Sequence, residues 1–108
     1  DKLLAERQRP TAIFAPDDSV GAMVARALAA RGLQPGRDIS LMSCNHERPL
    51  LLGIHPALTT IDVHAHEIGN RAVDQLAWRI AHREPTSMEV NITPTLIAGA
   101  SVATIKVA

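Results

Sequence analysis

The chain has 108 residues, 46% of them apolar and 20% charged, enough for one small α/β unit around one core. Eleven Lys and Arg balance eleven Asp and Glu, so the sequence lacks the basic excess of a nucleic-acid-binding module. The single cysteine, Cys44, excludes an intrachain disulfide and suits a reducing, cytoplasmic setting, and no apolar run approaches the length of a membrane span.

Residues 1–10 are polar and lack the apolar stretch of a signal peptide. Lys2-Leu3-Leu4-Ala5-Glu6 reads as mid-helix, and with no initiating Met the expectation is a piece of a longer protein. Residues 11–15 form a short apolar run after Pro10 and predict a buried strand. Asp17, Asp18 or Ser19 is placed to cap the helix that follows. The spacing of Val20, Met23, Val24, Ala27 and Leu28 predicts its apolar face, and Gly32 its end. Gln34-Pro35-Gly36 is a loop, and residues 38–44 predict a second buried strand, completing a parallel βαβ unit.

Residues 45–55 carry Leu50, Leu51, Leu52 and Ile54, but Pro49, Gly53 and Pro56 break any regular period. Residues 58–63 predict another strand and residues 65–82 a second helix. The helix sets Ile68, Gly69, Ala72, Val73, Leu76 and Ile80 on one side, with Glu67 and Arg71 as an i, i+4 pair. Trp78 projects opposite that stripe, where a partly exposed ring lying over its neighbours is expected. Residues 88–92 and 95–98 are short strand candidates separated by Pro94, and residues 102–107 a last strand or a tail.

Two loops carry candidate chemistry. Asp17-Asp18 follows the first strand at the carboxyl edge of the predicted sheet, where ligands of open parallel sheets collect. Acids there can cap the helix, hold a hard cation or accept hydrogen bonds from hydroxyl groups. Asn45-His46-Glu47 follows the second strand at the same edge, so Asp17, Asn45 and Glu47 offer convergent carboxylate and amide groups to a polyhydroxylated ligand; the alternative is a surface turn. His64-x-His66-Glu67 with Asp62 has metal-ligand residue types but no partner cluster and starts a helix, so no metal is expected. Cys44 beside His46 predicts a small buried thiol rather than a catalytic pair. P-loop, G-x-S-x-G and G-x-G-x-x-G motifs are absent. A metal-dependent phosphoryl transferase built on Asp17 and Asp18 would need a basic phosphate binder that the sequence does not supply, so no enzyme and no cofactor are expected.

In order, Phe14-Ala15-Pro16-Asp17-Asp18, Gly32-Leu33, Asp38-Ile39-Ser40, Pro56-Ala57-Leu58-Thr59-Thr60, Gly69, Pro94-Thr95-Leu96-Ile97 and Ser101 together resemble the lac repressor/galactose repressor (LacI/GalR) family of transcriptional regulators. The resemblance runs over residues 9–101 and implies an α/β fold of the periplasmic-binding-protein type I kind, incomplete here. Residues 1–108 would be the C-terminal part of the effector-binding and dimerisation module, with the first lobe and the helix-turn-helix outside it. It implies a small-molecule effector, a sugar or a derivative, held by Asp17 and Asn45, with Glu47 and His46 in support. Having two aromatic residues, Phe14 and Trp78, the chain would need the stacking ring of such a site to come largely from elsewhere.

The same resemblance implies a homodimer, through Gly21, Ala22, Ala25 and the run Leu50, Leu51, Leu52 and Ile54, with exchange of elements between copies as one form of it. Operator DNA would be contacted through the missing N-terminal domain and no membrane would be involved. The sequence departs from the family pattern at Asp17 and Asn45, where Asn and Asp have exchanged places between the two loops. It departs again at Val63, where the family has Gln, and at Gly99, where it has Arg, so no particular effector carries over. The rival reading is a periplasmic sugar receptor of the same fold, which would carry a signal peptide and no helix-turn-helix.

Overall fold

The computed structural model describes residues 2–84 and 86–104. The elements run α1 (Lys2–Ala5), β1 (Ala12–Phe14), α2 (Asp18–Ala29), β2 (Ser40–Cys44), α3 (Arg48–Leu51), β3 (Thr59–Asp62), α4 (Ala65–Ala81) and β4 (Thr95–Ile97). The four strands form one sheet in the order β1-β2-β3-β4. β1, β2 and β3 are parallel, and β4 returns antiparallel to β3. The predicted strand-helix-strand unit is therefore present as β1-α2-β2. No strand forms over residues 88–92: a strand needs a neighbouring backbone to pair with, and this stretch runs beside helix α4 instead. Residues 102–104 are irregular, and the rest of the expected terminal strand lies outside the described residues.

Helix α2 covers one face of the sheet, and its inner surface differs from the predicted one. Asp18, Gly21, Ala22, Ala25 and Leu28 are buried, whereas Met23 is 66% exposed. Small residues decide this. A Cβ added at Gly21 would stand 2.8 Å from Ser43 Cβ, so only a residue without one lets the helix approach β2 this closely. The core then forms from Ala22, Ala25, Leu28, Ile39, Leu41, Ile54 and Leu58. Gly21, Ala22, Ala25 and Ile54, expected on an intermolecular face, are thus enclosed by their own chain.

The sheet is fastened at both ends by buried polar side chains. At the carboxyl end, the Asp18 carboxyl oxygens accept hydrogen bonds from Ser43 Oγ of β2 (2.5 Å), Thr60 Oγ1 of β3 (2.8 Å) and the Glu47 backbone N–H (2.5 Å). At the amino end, Ser101 Oγ donates to the Leu41 carbonyl (2.5 Å) and accepts from the Thr59 N–H (2.8 Å). The chain beyond β4 reaches that position because Gly99 passes close to residues 57–58. A Cβ there would lie 2.3 Å from the Ala57 carbonyl oxygen.

Helix α4 does not join this core. Ile68, Val73, Leu76 and Ile80, on the predicted apolar side of the helix, are all exposed, and Trp78 stacks on His82 with ring centroids 4.8 Å apart. The chain exposes 8068 Å², against about 5,800 Å² for a compact protein of this size.

Replacing Asp18 by Asn puts an amide N–H₂ among three donors, and the expected loss is about 3 kcal/mol of stability in urea unfolding; a loss below about 1 kcal/mol would mean the network contributes little. Gly99→Ala drives a methyl group into backbone that cannot yield, with an expected loss of about 2 kcal/mol in the same measurement.

Candidate functional site

The carboxyl ends of β1, β2 and β3 open onto one edge, and Asp18 ties the start of α2 to β2, to β3 and to the loop after β2 there. After β1, Asp17 caps helix α2: its Oδ1 accepts from Ser19 Oγ (2.6 Å) and from the Val20 N–H (2.8 Å). The Ser19 hydroxyl, and after it the Val20 amide, hold the Asp17 carboxyl below its ordinary pKa. Its neighbour Asp18, also a predicted cap, is fully buried.

After β2 the backbone turns through two consecutive residues with positive φ, Asn45 (98°) and His46 (56°). Asn and His are among the side chains that enter this region most readily. The turn is fixed from both sides, since the Asn45 N–H donates to the Ile61 carbonyl (2.8 Å) and the Glu47 N–H to Asp18. Asn45 Nδ2 also reaches Glu47 Oε1 at 3.4 Å. His46 Nδ1 is buried and has no hydrogen-bond partner among the described residues. Cys44, expected to be buried, is half-buried.

After β3, Asp62 and His64 lead into α4, and His64 again has positive φ (54°). Together these segments border an open cleft of about 420 Å³ lined by Asn45, His46, Glu47, Asp62, His64, Ala65, His66 and Glu67. Three of the four residues expected to meet a ligand, Asn45, His46 and Glu47, therefore stand in one cleft. Asp17 is not among its lining residues.

The residues from 62 to 67, read in the sequence as a polar helix start, form the opposite wall. Their contribution was missed because nothing local announces that the end of β3 returns to the loop after β2. Among the described residues, no group of three or more His, Cys, Asp and Glu side chains is arranged to hold a metal ion.

The lining offers an amide, three imidazoles and three carboxyl groups but no ammonium or guanidinium. Such a set accepts and donates hydrogen bonds to hydroxyl groups.

The sequence matches the periplasmic binding protein-like domain family over residues 1–102. The HTH-type transcriptional repressor PurR of Erwinia tasmaniensis is 33% identical over 102 residues, which are 94% of this chain and 30% of that protein. The ribose operon repressor of Haemophilus influenzae is 29% identical over 104 residues, 96% of this chain and 31% of that one. The chain thus spans 30% and 31% of the lengths of these two relatives. Among solved structures, a putative transcriptional regulator LacI from Bacillus cereus subsp. cytotoxis matches 93% of this chain and 35% of its own, with TM-score 0.85 and 31% identity. A LacI family regulator from Enterococcus faecium with bound ribose matches 97% of this chain and 38% of its own, with TM-score 0.82 and 26% identity. With a family match over residues 1–102 and a fold shared with LacI-type regulators, the chain belongs to the periplasmic binding protein-like domain family, in the form found in effector-binding modules of LacI/GalR-type regulators.

Proposed function

We propose that the chain is the effector-sensing and dimerising part of a cytoplasmic LacI-type regulator, and that its effector is a neutral sugar or sugar derivative. The observation that carries this reading is the cleft at the carboxyl edge of the sheet, where Asn45 and Glu47 converge with Asp62 and His64 and neither Lys nor Arg is among the lining residues. The effector sits against this wall and is enclosed by the part of the regulator that lies outside the chain. Operator DNA is bound by a separate helix-turn-helix. A ligand that favours the closed arrangement shifts the equilibrium between two states of the regulator, by no more than its difference in affinity for them.

Asn45 and Glu47 make the hydroxyl contacts, with His46 in support. Asp17 acts mainly by holding the end of α2, because its Oδ1 is already engaged by Ser19 and Val20. For the dimer, the enclosure of Gly21, Ala22, Ala25 and Ile54 moves the face outward. Met23 on α2 and Leu50 and Leu52 around α3 are the exposed apolar groups there, and α2 and α3 pack side by side. A two-fold, self-complementary contact is the commonest way to cover such a patch.

The test uses the natural full-length regulator and a panel of neutral monosaccharides that includes ribose, with ribose 5-phosphate as the charged probe. At least one neutral sugar is expected to bind in calorimetry and to alter operator affinity, with the phosphate binding more weakly. Asn45→Gly keeps the backbone turn and removes the amide; it is expected to weaken that sugar about tenfold while operator binding without sugar is unchanged. If no neutral sugar binds, or if Asn45→Gly binds it like the natural protein, the reading fails.

A further inference from the structure

The two oxygens of Asp18 serve different parts of the chain. Oδ1 accepts from Ser43 Oγ of β2 (2.5 Å) and from Thr60 Oγ1 of β3 (2.8 Å), both buried hydroxyl groups of the sheet. Oδ2 accepts from the Glu47 N–H (2.5 Å), which belongs to the loop after β2. These partners differ in kind as well as in place. A hydroxyl group donates or accepts, so Ser43 and Thr60 can adapt to whatever stands opposite them. A backbone N–H only donates, so the Glu47 contact requires an acceptor.

The carboxyl group is itself held in place. It stands in the first turn of α2, whose start is capped by Asp17, and Gly21 lets that helix lie against Ser43. Asp18 is fully buried, and a hydrogen bond away from water is electrostatically stronger than one at the surface.

The loop it reaches keeps Asn45 and His46 at φ 98° and 56°. A left-handed conformation in residues other than glycine costs energy and persists where the surroundings hold it. Two backbone bonds bracket this pair. On one side the Asn45 N–H donates to the Ile61 carbonyl (2.8 Å), continuing the pairing of β2 with β3. On the other side the Glu47 N–H donates to Asp18. The first bond comes with the sheet; the second exists because an acid stands at the start of α2.

We propose that Asp18 is a positioning residue for the cleft: its Oδ2 holds the Glu47 N–H and thereby keeps Asn45 and His46 in the left-handed turn, a task separable from what Oδ1 does for the sheet. Asn45, His46 and Glu47 all line the cleft. Without the Oδ2 contact the turn is bracketed on one side alone, and the strain of two left-handed residues favours its relaxation. The consequence for effector affinity rests on the function proposed above; the hold on the turn does not.

The test is amide hydrogen exchange, read residue by residue by nuclear magnetic resonance on the natural full-length protein without added sugar. Within each variant, the exchange rate at Glu47 is divided by the rates at Leu41 and Thr59, whose N–H groups are bonded to Ser101 at the opposite end of the sheet. A general loss of stability moves all three and leaves the ratio alone. Asp18→Ala is expected to raise the ratio about tenfold or more, the worth of one hydrogen bond to a charged group. It is also expected to abolish the strong intraresidue HN–Hα Overhauser effect that marks positive φ at Asn45 and His46. Ser43→Ala and Thr60→Val are expected to weaken the sheet and leave both readouts unchanged.

Asp18→Asn is expected to leave them unchanged as well. Its amide oxygen can turn to the Glu47 N–H while the NH₂ donates to the two hydroxyl groups, so the cost falls on their stranded protons and hence on stability. Should Asp18→Ala not fold, Asp18→Ser, whose hydroxyl is one bond shorter, takes its place with the same expectation. A ratio and Overhauser effects unchanged by loss of the carboxyl group overturn the proposal. So does a rise in Asp18→Asn, Ser43→Ala or Thr60→Val equal to that in Asp18→Ala, for then the loop responds to the sheet as a whole. No sugar enters this measurement, so a failure of the effector reading and a failure of the positioning role are separable.

Discussion

A carboxyl group with two oxygens can accept about four hydrogen bonds, and Asp18 uses this capacity to join segments far apart in sequence. It lies in the first turn of α2 and takes donors from β2, from β3 and from the loop after β2. Strand ends in a parallel sheet have no further strand to pair with, so the loops beyond them are free to spread unless something gathers them. Asp18 gathers two of them beneath the cleft. The helix it begins is held by the same residue, with Asp17 capping it one position earlier. The fold is thereby tied to the site: whatever loosens Asp18 releases the Glu47 backbone and with it the wall that carries Asn45.

Close approach of α2 is the second condition. Asp18 reaches Ser43 and Thr60 because Gly21 and Ala22, one turn later on the same face, let the helix lie almost on the strands. A bulkier face would hold the helix away and strand the carboxyl group without partners, a costly state for a buried polar group. Ser101 does the corresponding work at the other end of the sheet, and Gly99 is the reason the chain can reach that position. Small residues and buried polar side chains are thus two halves of one arrangement, in which hydrogen bonds set positions that a small apolar core alone would leave loose.

The sequence made the order of elements legible because each was marked by local chemistry: apolar runs bounded by Pro10 and Pro16, a cap at Asp17, a glycine at the end of α2. It misjudged what each element faces. The large apolar residues of α2 were read as its inner face, yet close packing favoured Gly21, Ala22 and Ala25 over Met23, and periodicity weights size rather than fit. Asp18 shares a helical face with Gly21, Ala22 and Ala25, and that spacing was the available sign of its burial. The apolar stripe of α4 was real, but a stripe shows that a partner is wanted without showing where the partner is. Residues 88–92 fail as a strand for the same reason, having β-branched Val90 and Ile92 but, among the described residues, no strand paired with them. At the cleft, Asn45 and Glu47 were legible because a strand end followed by polar residues has a known place in a parallel sheet. The 62–67 wall was not, because its nearness to that loop follows from the pairing of β2 with β3.

Three residues other than glycine, Asn45, His46 and His64, take positive φ in the described chain, and all three line the same cleft. Ordinary turns would place glycine at such positions at lower conformational cost. The side chains kept there are an amide and two imidazoles, each able to donate and accept. A glycine would relieve the backbone and remove the group that faces the cleft. The surroundings hold each turn in place: Ile61 and Asp18 bind the backbone of the 45–47 loop, and Asp62 binds the backbone of His64. Local strain at a spot where the chemistry converges, supported by hydrogen bonds from elements that are themselves unstrained, is the pattern expected where the sequence serves binding ahead of stability. The turn after β2 shapes one wall of the cleft, and the turn after β3 carries the chain into the other.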